Sequence, residues 1–317
     1  MGKEAGHHAP QGPFNAMYFV KGALSGGICC GITHGALCPV DVIKTRIQLD
    51  PVTYNRGMVN AFKQVVQADG VSALATGLGP TAVGYFIQGW FKFGGVEFFK
   101  INTANYLGVE DAWKYRFPIY LASAAGAEFI ADVFLCPLEA TRIRLVSNPK
   151  FASGLITAMP KIIQKDGIIR GFYSGFGPIL FKQIPYTMAK FAVQGWAAEQ
   201  IYGVTNTTPE TLSEKGNLGV SLGSGVIAGV AAAVISHPAD TLLSLVNKEG
   251  AGGDGSIMSR LVNLARETGF KKLCLNGLGP RCVMIGTLTA GQFAIFDYVL
   301  SLTGATKFHF TDPDEEK

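Results

Sequence analysis

The chain has 317 residues, of which 48% are hydrophobic and only 16% are charged. With 40 glycines and a mean hydropathy of +0.26, this composition indicates a membrane protein rather than one or two soluble domains. The net charge of +4 is small and the basic residues are dispersed, which argues against a nucleic-acid-binding surface. The six cysteines lack the spacing of a metal site, so we interpret them as buried thiols and predict no metal.

One short motif, of the form Pro-x-acid-x-x-base, recurs along the chain. It reads PVDVIKTR from Pro39, PLEATRIR from Pro137 and PADTLLSL from Pro238. The prolines are 98 and 101 residues apart, and a Gly-x-Gly-Pro motif that starts at Gly77, Gly175 and Gly277 keeps nearly the same step. This spacing predicts three copies of a unit of about a hundred residues. The third copy has Leu243 in place of the base.

Six apolar stretches are long enough to cross a bilayer as helices, which requires about 20 residues. They cover residues 16–40 (continuing to about 49), 79–101, 117–146, 178–201, 217–246 and 279–302. Within each repeat, a more polar segment such as 58–69 has apolar residues at helical spacing and predicts a short amphipathic surface helix. We therefore predict an all-α membrane protein with six transmembrane helices in three repeats.

The predicted repeats cover residues 15–113, 114–213 and 214–306. Residues 1–14, which include His7 and His8, are expected to form a disordered tail. Residues 307–317 are expected to form an acidic C-terminal tail, of which residues 312–317 are disordered. The even number of spans places both termini on one side. Lys and Arg number 15 in the segments within the repeats and 4 in the connections between them, a bias that predicts an interior-facing position for the former.

In each motif the acid and the base are three residues apart, so they are neighbours on a helix. One interpretation is three ordinary ion pairs, each within its own helix. Ionisable groups in apolar spans, however, face an interior or a water-filled path. Three such helices that converge on an axis can link the acid of one to the base of the next, which would close one end of a cavity with reversible ion pairs.

With these motifs the chain resembles the mitochondrial carrier family over essentially its whole length. The resemblance implies tilted helices in pseudo-threefold symmetry, a central site open alternately to the intermembrane space and the matrix, and a multi-pass location in the mitochondrial inner membrane with both termini in the intermembrane space. The short amphipathic helices would lie on the matrix side. The implied matrix gate consists of Asp41, Lys44, Glu139, Arg142 and Asp240, and the cytoplasmic gate is reduced to Glu97, Lys100 and Asp297.

Within the family, three segments resemble the carriers of inorganic phosphate: FKF from Phe91, FKQIPYTMAKF from Phe181 and HPADTLLS from His237. Lysine is a common point-charge partner of phosphate. The predicted substrate-binding residues are Lys92, Lys182, Gln183, Lys190 and Arg281. The alternative for each lysine is snorkelling to the membrane interface, and the alternative substrate is another small anion such as a dicarboxylate.

Proton coupling is a further implication of the resemblance, as phosphate symport with a proton or antiport against hydroxide. His34 lies two helical turns before Asp41, on the same face, and histidine titrates near neutral pH. The predicted proton-coupling residues are His34, Glu128, Asp41, Glu139 and Asp240. Because Leu243 carries no charge, Asp240 or its neighbouring gate acid is expected to lack a cation and to hold a proton in some state.

A carrier-shaped protein without a transport cycle is the alternative from another class, although the gate carboxylates and the cavity lysines favour transport. An enzyme is not predicted: the Gly-x-Gly-Pro motif lacks the lysine of a phosphate-binding loop. No cofactor is expected. The predicted partners are inorganic phosphate, protons and the lipid bilayer, without nucleic acid and without an obligatory protein partner.

Overall fold

The computed structural model of the chain describes residues 14–310 except 51, 55, 149, 210, 247–256 and 276. Most of the predicted N-terminal tail, with His7 and His8, and the acidic C-terminal run lie outside the described residues. The helices are α1 (Ala16–Leu49), α2 (Met58–Asp69), α3 (Leu78–Leu107), α4 (Val109–Lys114), α5 (Arg116–Ser147), α6 (Leu155–Asp166), α7 (Ile168–Tyr173), α8 (Phe176–Thr205), α9 (Glu214–Val246), α10 (Ile257–Thr268), α11 (Phe270–Leu275) and α12 (Leu278–Leu302).

Six long helices form a closed ring within the described part of the chain. They are α1, α3, α5, α8, α9 and α12, and each contains one of the predicted spans. Each packs against the next in chain order, and α12 returns to α1. The described residues contain no β-strand. The predicted all-α architecture of three two-helix repeats is thereby confirmed.

The long helices differ in mean hydropathy, because some of them carry more polar residues than others. By length and composition, α1, α5, α9 and the α11–α12 stretch qualify as spans, whereas α3 qualifies only together with α2, from which it is bent by 115°. Helix α8 is not among the spans found in the described residues. Its sequence includes Lys182, Gln183, Lys190 and Gln194, which lower its mean hydropathy.

Small residues let the helices of a repeat approach closely. A β-carbon on Gly26 would lie 2.4 Å from the carbonyl oxygen of Gly89, and one on Gly225 would lie 2.7 Å from the Cα of Ala290. Ser25 and Ser224, beside these glycines, are completely buried. Small residues at these positions thus allow close helix contacts, as is typical of membrane proteins.

The short helices α2, α6 and α10 lie at the end of the ring where the proline motifs are. Each buries an apolar face, for example Ala61 and Val65 in α2. Arg46 pairs with Asp69 at 2.8 Å, and Arg144 pairs with Asp166, so ion pairs fasten α2 and α6 to the long helices before them. In the third repeat Leu245 stands at the arginine position, and leucines form a buried cluster between α9 and α10: Leu242, Leu243, Leu245, Leu261 and Leu264.

Candidate substrate cavity

A cavity of about 460 Å³ lies on the axis of the ring. Six basic residues line it, namely Lys44, Lys92, Arg142, Lys182, Lys190 and Arg281. Three carboxylates line it as well, those of Asp41, Glu139 and Asp240. Cations outnumber carboxylates, so the interior attracts anions.

All five residues predicted to bind the substrate line this one cavity: Lys92, Lys182, Gln183, Lys190 and Arg281. Lys92 and Lys190 are at most 4% exposed, so neither snorkels to the membrane interface. Lys182 is the most exposed of the three predicted substrate-binding lysines, with 38% of its side chain accessible. It lines the part of the cavity that is nearer to the proline motifs than Lys92 and Lys190 are.

The innermost part of the cavity contains one residue from the same position of each repeat. Lys92, Lys190 and Gln292 each stand 15 residues after the first glycine of the Gly-x-Gly-Pro motif. Lys190 donates a hydrogen bond to Oε1 of Gln292, and its ammonium lies 4.9 Å from the ring centre of Phe93. Gln292 was not predicted as a site residue, although it stands at the position of the third repeat that corresponds to Lys92 and Lys190.

Further polar residues of the cavity wall were also not predicted as site residues. Tyr85, Gln88, Tyr186 and Gln292 line the cavity, and Tyr186 lies 3.4 Å from the hydroxyl of Thr289. Gln88 is one helical turn before Lys92, on the same face of α3. That spacing is a signal by which it could have been found.

Glu128 is completely buried behind the cavity wall. It accepts hydrogen bonds from Gln88 at 2.9 Å and from Thr187 at 2.8 Å, and it pairs with Lys92 at 2.9 Å. Glu128 and His34 were both predicted as proton-coupling residues, but they occupy different places: His34 lines the cavity, whereas Glu128 lies behind Lys92 and Gln88, which line it. Full burial with three donors explains this position, because a buried carboxylate needs such partners.

His34 stacks on Tyr85, with their ring centres 3.6 Å apart and an angle of 6° between the planes. Asp41, two turns further along α1, lines the same cavity, as the spacing predicts. His34 and Asp41 thus both face the cavity from α1.

At the proline-motif end, one ion pair joins two helices through their motifs. Arg142 contacts Glu139 of its own helix at 2.8 Å and Asp41 of α1 at 3.5 Å. Lys44 makes no ion pair within 4 Å in the described part of the chain, although it lines the cavity. The predicted gate is therefore only partly closed, and 30% of the Asp41 side chain remains accessible.

Of the two alternatives for the acid that lacks a cation, the structure contradicts Asp240. Arg281 of α12 donates a hydrogen bond to Asp240, and Lys182 of α8 lies 3.7 Å from its other carboxylate oxygen. Two predicted substrate ligands thus supply the charge that is absent at Leu243. The acid that lacks a base on the next helix is instead Glu139, because the position that would supply it is Leu243.

The opposite end of the cavity is closed by aromatic rings. Phe93, Phe191, Phe293 and Phe296 pack in a layer and are at most 5% exposed. The predicted cytoplasmic gate lies beyond this layer. There Lys100 pairs with Glu97, which also accepts a hydrogen bond from Tyr18 at 3.1 Å, while Asp297 accepts one from Ser221.

The C-terminal segment 303–310 covers this closed end. Residues 307–310 belong to the predicted acidic C-terminal tail, and within them Phe308 and Phe310 are buried against the ring. Lys100 donates to the carbonyl oxygen of Phe308 at 3.2 Å, and Lys307 donates to Gln194 at 2.8 Å. This packing was not predicted, because the aromatic and basic residues 307–310 follow no helical period.

His309, in the same segment, packs edge-on against the ring of Tyr202. Burial, reinforced by the nearby cations Lys307 and Lys100, lowers the pKa of His309 to about 3. The imidazole is therefore neutral at physiological pH.

A ring of six membrane helices around a cation-rich cavity, closed at one end and accessible at the other, defines a membrane carrier of small solutes. The chain belongs to the mitochondrial carrier family: the family described as mitochondrial carrier protein matches it three times, over residues 15–106, 114–203 and 214–306. Members of this family are transporters rather than enzymes, and membership makes the chain a multi-pass protein of the mitochondrial inner membrane.

Individual relatives cover most of the chain. The Dictyostelium discoideum protein named mitochondrial substrate carrier family protein N is 47% identical over 93% of this chain and 98% of its own length. The Arabidopsis thaliana protein named mitochondrial phosphate carrier protein 2 is 41% identical over 92% of this chain and 78% of its own length. A Caenorhabditis elegans protein named mitochondrial phosphate carrier protein is also 41% identical, over 89% of this chain and 80% of its own length.

Proposed function

We propose that this chain carries inorganic phosphate across the mitochondrial inner membrane by alternating access, together with a proton or in exchange for hydroxide. Two of the relatives are named as phosphate carriers. The observation that carries the proposal is the convergence of Lys92, Lys182, Lys190 and Arg281 on one cavity that is closed at one end. In this proposal both termini lie in the intermembrane space.

Phosphate fits the chemistry of this wall. It carries one or two negative charges at neutral pH and has four oxygens that accept hydrogen bonds, so it can contact several cations at once. Lys182 and Arg281 already surround the Asp240 carboxylate, which shows that their charged groups can share one small anionic partner. A phosphate that enters from the accessible end meets these two residues before Lys92 and Lys190.

Alternating access requires that each end can be opened by breaking a limited set of contacts. At the accessible end, one cross-helix ion pair between motifs remains, from Arg142 to Asp41. At the closed end, the aromatic layer and the Glu97–Lys100 pair exclude water. The structure supports a conformation open towards the proline motifs, which corresponds to the matrix side in this proposal.

The test is uptake of labelled phosphate by proteoliposomes, compared with labelled malate. We expect saturable phosphate uptake, and a marked loss of it in Lys182→Ala, because this variant removes one of the cations that would contact phosphate in the cavity. Lys63→Ala, on the exposed face of α2, is the matched control and should transport normally. Uptake of malate without phosphate would establish the dicarboxylate alternative, and normal phosphate uptake by Lys182→Ala would place the site elsewhere.

Proton coupling has a separate test. If phosphate moves with a proton, a pH gradient that is acidic outside should accelerate uptake, whereas a membrane potential alone should have little effect. His34 and the carboxylates of Asp41, Glu139 and Glu128 are the titratable groups in and behind the cavity that support this expectation. Uptake that ignores the pH gradient but follows the potential would contradict it.

A further inference from the structure

Directly behind the cavity wall lies a second buried carboxylate, Asp132, that the proposed function does not use. It stands one helical turn after Glu128 on α5, and both residues are completely buried. Gln88 bridges them, because its amide nitrogen lies 2.9 Å from Glu128 and 3.3 Å from Asp132. Two carboxylates in one buried cluster cannot both ionise without a large electrostatic cost.

The two carboxylates differ in how well their charge is satisfied. Glu128 has an ammonium group, an amide and a hydroxyl as donors, from Lys92, Gln88 and Thr187. For Asp132, Gln88 at 3.3 Å is the hydrogen-bond donor among the described residues, and its second oxygen has no donor there. A buried oxygen without a donor disfavours the anion and favours the neutral acid. A proton that enters the cluster is thus expected on Asp132.

The repeat gives Asp132 a counterpart. Asp132 lies five residues before Pro137, and His34 lies five residues before Pro39. The same position of the third repeat holds Ala233, which cannot titrate. Two of the three symmetry-related positions therefore carry a titratable group, one facing the cavity and one behind its wall.

We propose that the Glu128–Asp132 pair is the site that holds the coupled proton, with Asp132 as the residue that takes it up; this inference rests on the proposed phosphate transport. Lys92 and Gln88 connect the pair to the cavity, since both line the cavity on one side and contact Glu128 on the other. A phosphate bound at Lys92 adds negative charge next to the pair, and protonation of one carboxylate to the acid removes a negative charge from it. Phosphate and proton thereby bind cooperatively, and each strengthens the other to the same degree.

The surroundings of Asp132 are consistent with one exchangeable proton. The charged and titratable groups around it are Lys92 and Tyr85 on α3, Glu128 and Cys136 on its own helix, and Tyr173 on α7, whose hydroxyl donates to the carbonyl of Val133. The side chain of α8 in this cluster is the uncharged Thr187. Lys92 is thus the cation of the cluster, and it already pairs with Glu128.

The experiment compares two transport modes in proteoliposomes. Exchange of phosphate for phosphate without a pH gradient needs no net proton movement, whereas net uptake driven by an acidic exterior does. Asp132→Asn is permanently neutral and keeps the shape of the side chain. We expect Asp132→Asn to retain phosphate–phosphate exchange. The acceleration of its net uptake by the pH gradient should be at least tenfold smaller than in the parent. Its net uptake should also become sensitive to membrane potential. Asp132→Glu, which can still titrate, should keep the acceleration.

Glu199→Gln is the matched control, because Glu199 is another partly buried carboxylate that pairs with Arg116 outside the cavity. It should keep the parental ratio of driven uptake to exchange. The inference is overturned if Asp132→Asn shows the parental acceleration. In that case the parent still carries phosphate with a proton, so the proposed function stands; a parent that takes up no phosphate contradicts the proposed function instead.

A second measurement tests the inference on the parent protein alone, whether or not the variants fold. Infrared difference spectra of the purified parent, with and without inorganic phosphate, should show the carbonyl band of a newly protonated carboxylic acid. That band should disappear in Asp132→Asn and shift in Asp132→Glu. Absence of the band in the parent would overturn the inference without any variant.

Discussion

Arg281 of α12 donates a hydrogen bond to Asp240 of α9, so the acid of the third proline motif is paired from the cavity wall rather than from its own helix. The same guanidinium donates to Ser236 at 2.9 Å. A residue predicted to bind the substrate thus also holds a predicted gate residue. In the proposed function, phosphate competes with Asp240 for Arg281 and Lys182, which links substrate binding to the state of the gate.

The first prediction concerns this pair. Arg281→Ala should abolish phosphate uptake and lower the thermal stability, because it removes the hydrogen-bonded partner of a largely buried carboxylate and leaves Lys182, 3.7 Å away, as the nearest cation. The cost of breaking a buried pair in this way is about 3–5 kcal/mol. The double variant Arg281→Ala with Asp240→Ala should recover part of the stability but none of the transport, as measured by thermal unfolding and liposome uptake.

A matched variant separates charge from geometry at this site. Arg281→Lys keeps the positive charge but loses the planar fork that reaches Asp240 and Ser236 together. It should retain more stability than Arg281→Ala. If the double variant is no more stable than Arg281→Ala, the pair does not contribute to stability in the way that the contact indicates.

The second prediction concerns the C-terminal segment at the closed end. Phe308→Ala should destabilise the closed end by about 3–5 kcal/mol, as is typical for a buried phenylalanine. Its specific signature is access to the closed end. In a cysteine-free background, Gln194→Cys should react with a membrane-impermeant thiol reagent much faster when Phe308→Ala is added, since Gln194 is buried beneath Lys307. An unchanged rate would show that the segment does not seal this end.

The third prediction is the pH dependence of the same segment. The folded pKa of His309 is about 3, below the ordinary value of about 6.5 that applies once the segment is released. The released state therefore binds the proton more readily. The docking contribution of His309 is fully present above about pH 6.5 and is lost as the pH falls towards 3.

The labelling assay tests this sign directly. Labelling of Gln194→Cys should accelerate as the pH falls below about 6.5, after correction for the reactivity of a free thiol at each pH. His309→Gln should remove that acceleration because glutamine does not titrate. A parental pH profile in His309→Gln would show that another group controls the release.

The sequence predicted the helices and much of the cavity because both follow the repeat. Lys92 and Lys190 stand at equal positions in two repeats, so a threefold arrangement brings them to one axis whatever the side-chain details. The pairing of Arg281 with Asp240 had no such signal. It depends on the approach of α12 to α9 and on the length of an arginine side chain, which the motif pattern does not encode.

The C-terminal segment was missed for a related physical reason. Residues 307–310 form no helix, so hydrophobic periodicity does not reveal their burial. Their partners, Lys100 and Gln194, belong to helices more than a hundred residues earlier in the chain. The sequence showed that the cytoplasmic gate is reduced to Glu97, Lys100 and Asp297. It did not show that residues 307–310 supply further contacts there, such as the carbonyl oxygen of Phe308.

The last prediction concerns Leu243, where the motif lacks its base. Glu139 now shares Arg142 with Asp41, and it has no cation on α9. Leu243 lines the cavity at the position from which a lysine could reach Glu139. Leu243→Lys should therefore add a cross-helix pair, stabilise the state closed at the proline-motif end, and slow uptake by up to about fivefold, since such a pair contributes about 1 kcal/mol at most.

Leu243→Met is the control for packing, because Leu243 also contacts the leucines that join α9 to α10. Methionine keeps the apolar contact and adds no charge, so this variant should transport at the parental rate. The lysine variant should keep the parental response to a pH gradient, because Asp240 already has Arg281 as its partner and the coupled proton lies on Asp132 in our proposal. If Leu243→Lys takes up phosphate at the parental rate, the presence of a base at this position does not affect the rate. If its response to a pH gradient is altered, the coupled proton is held at the proline-motif gate and not on Asp132.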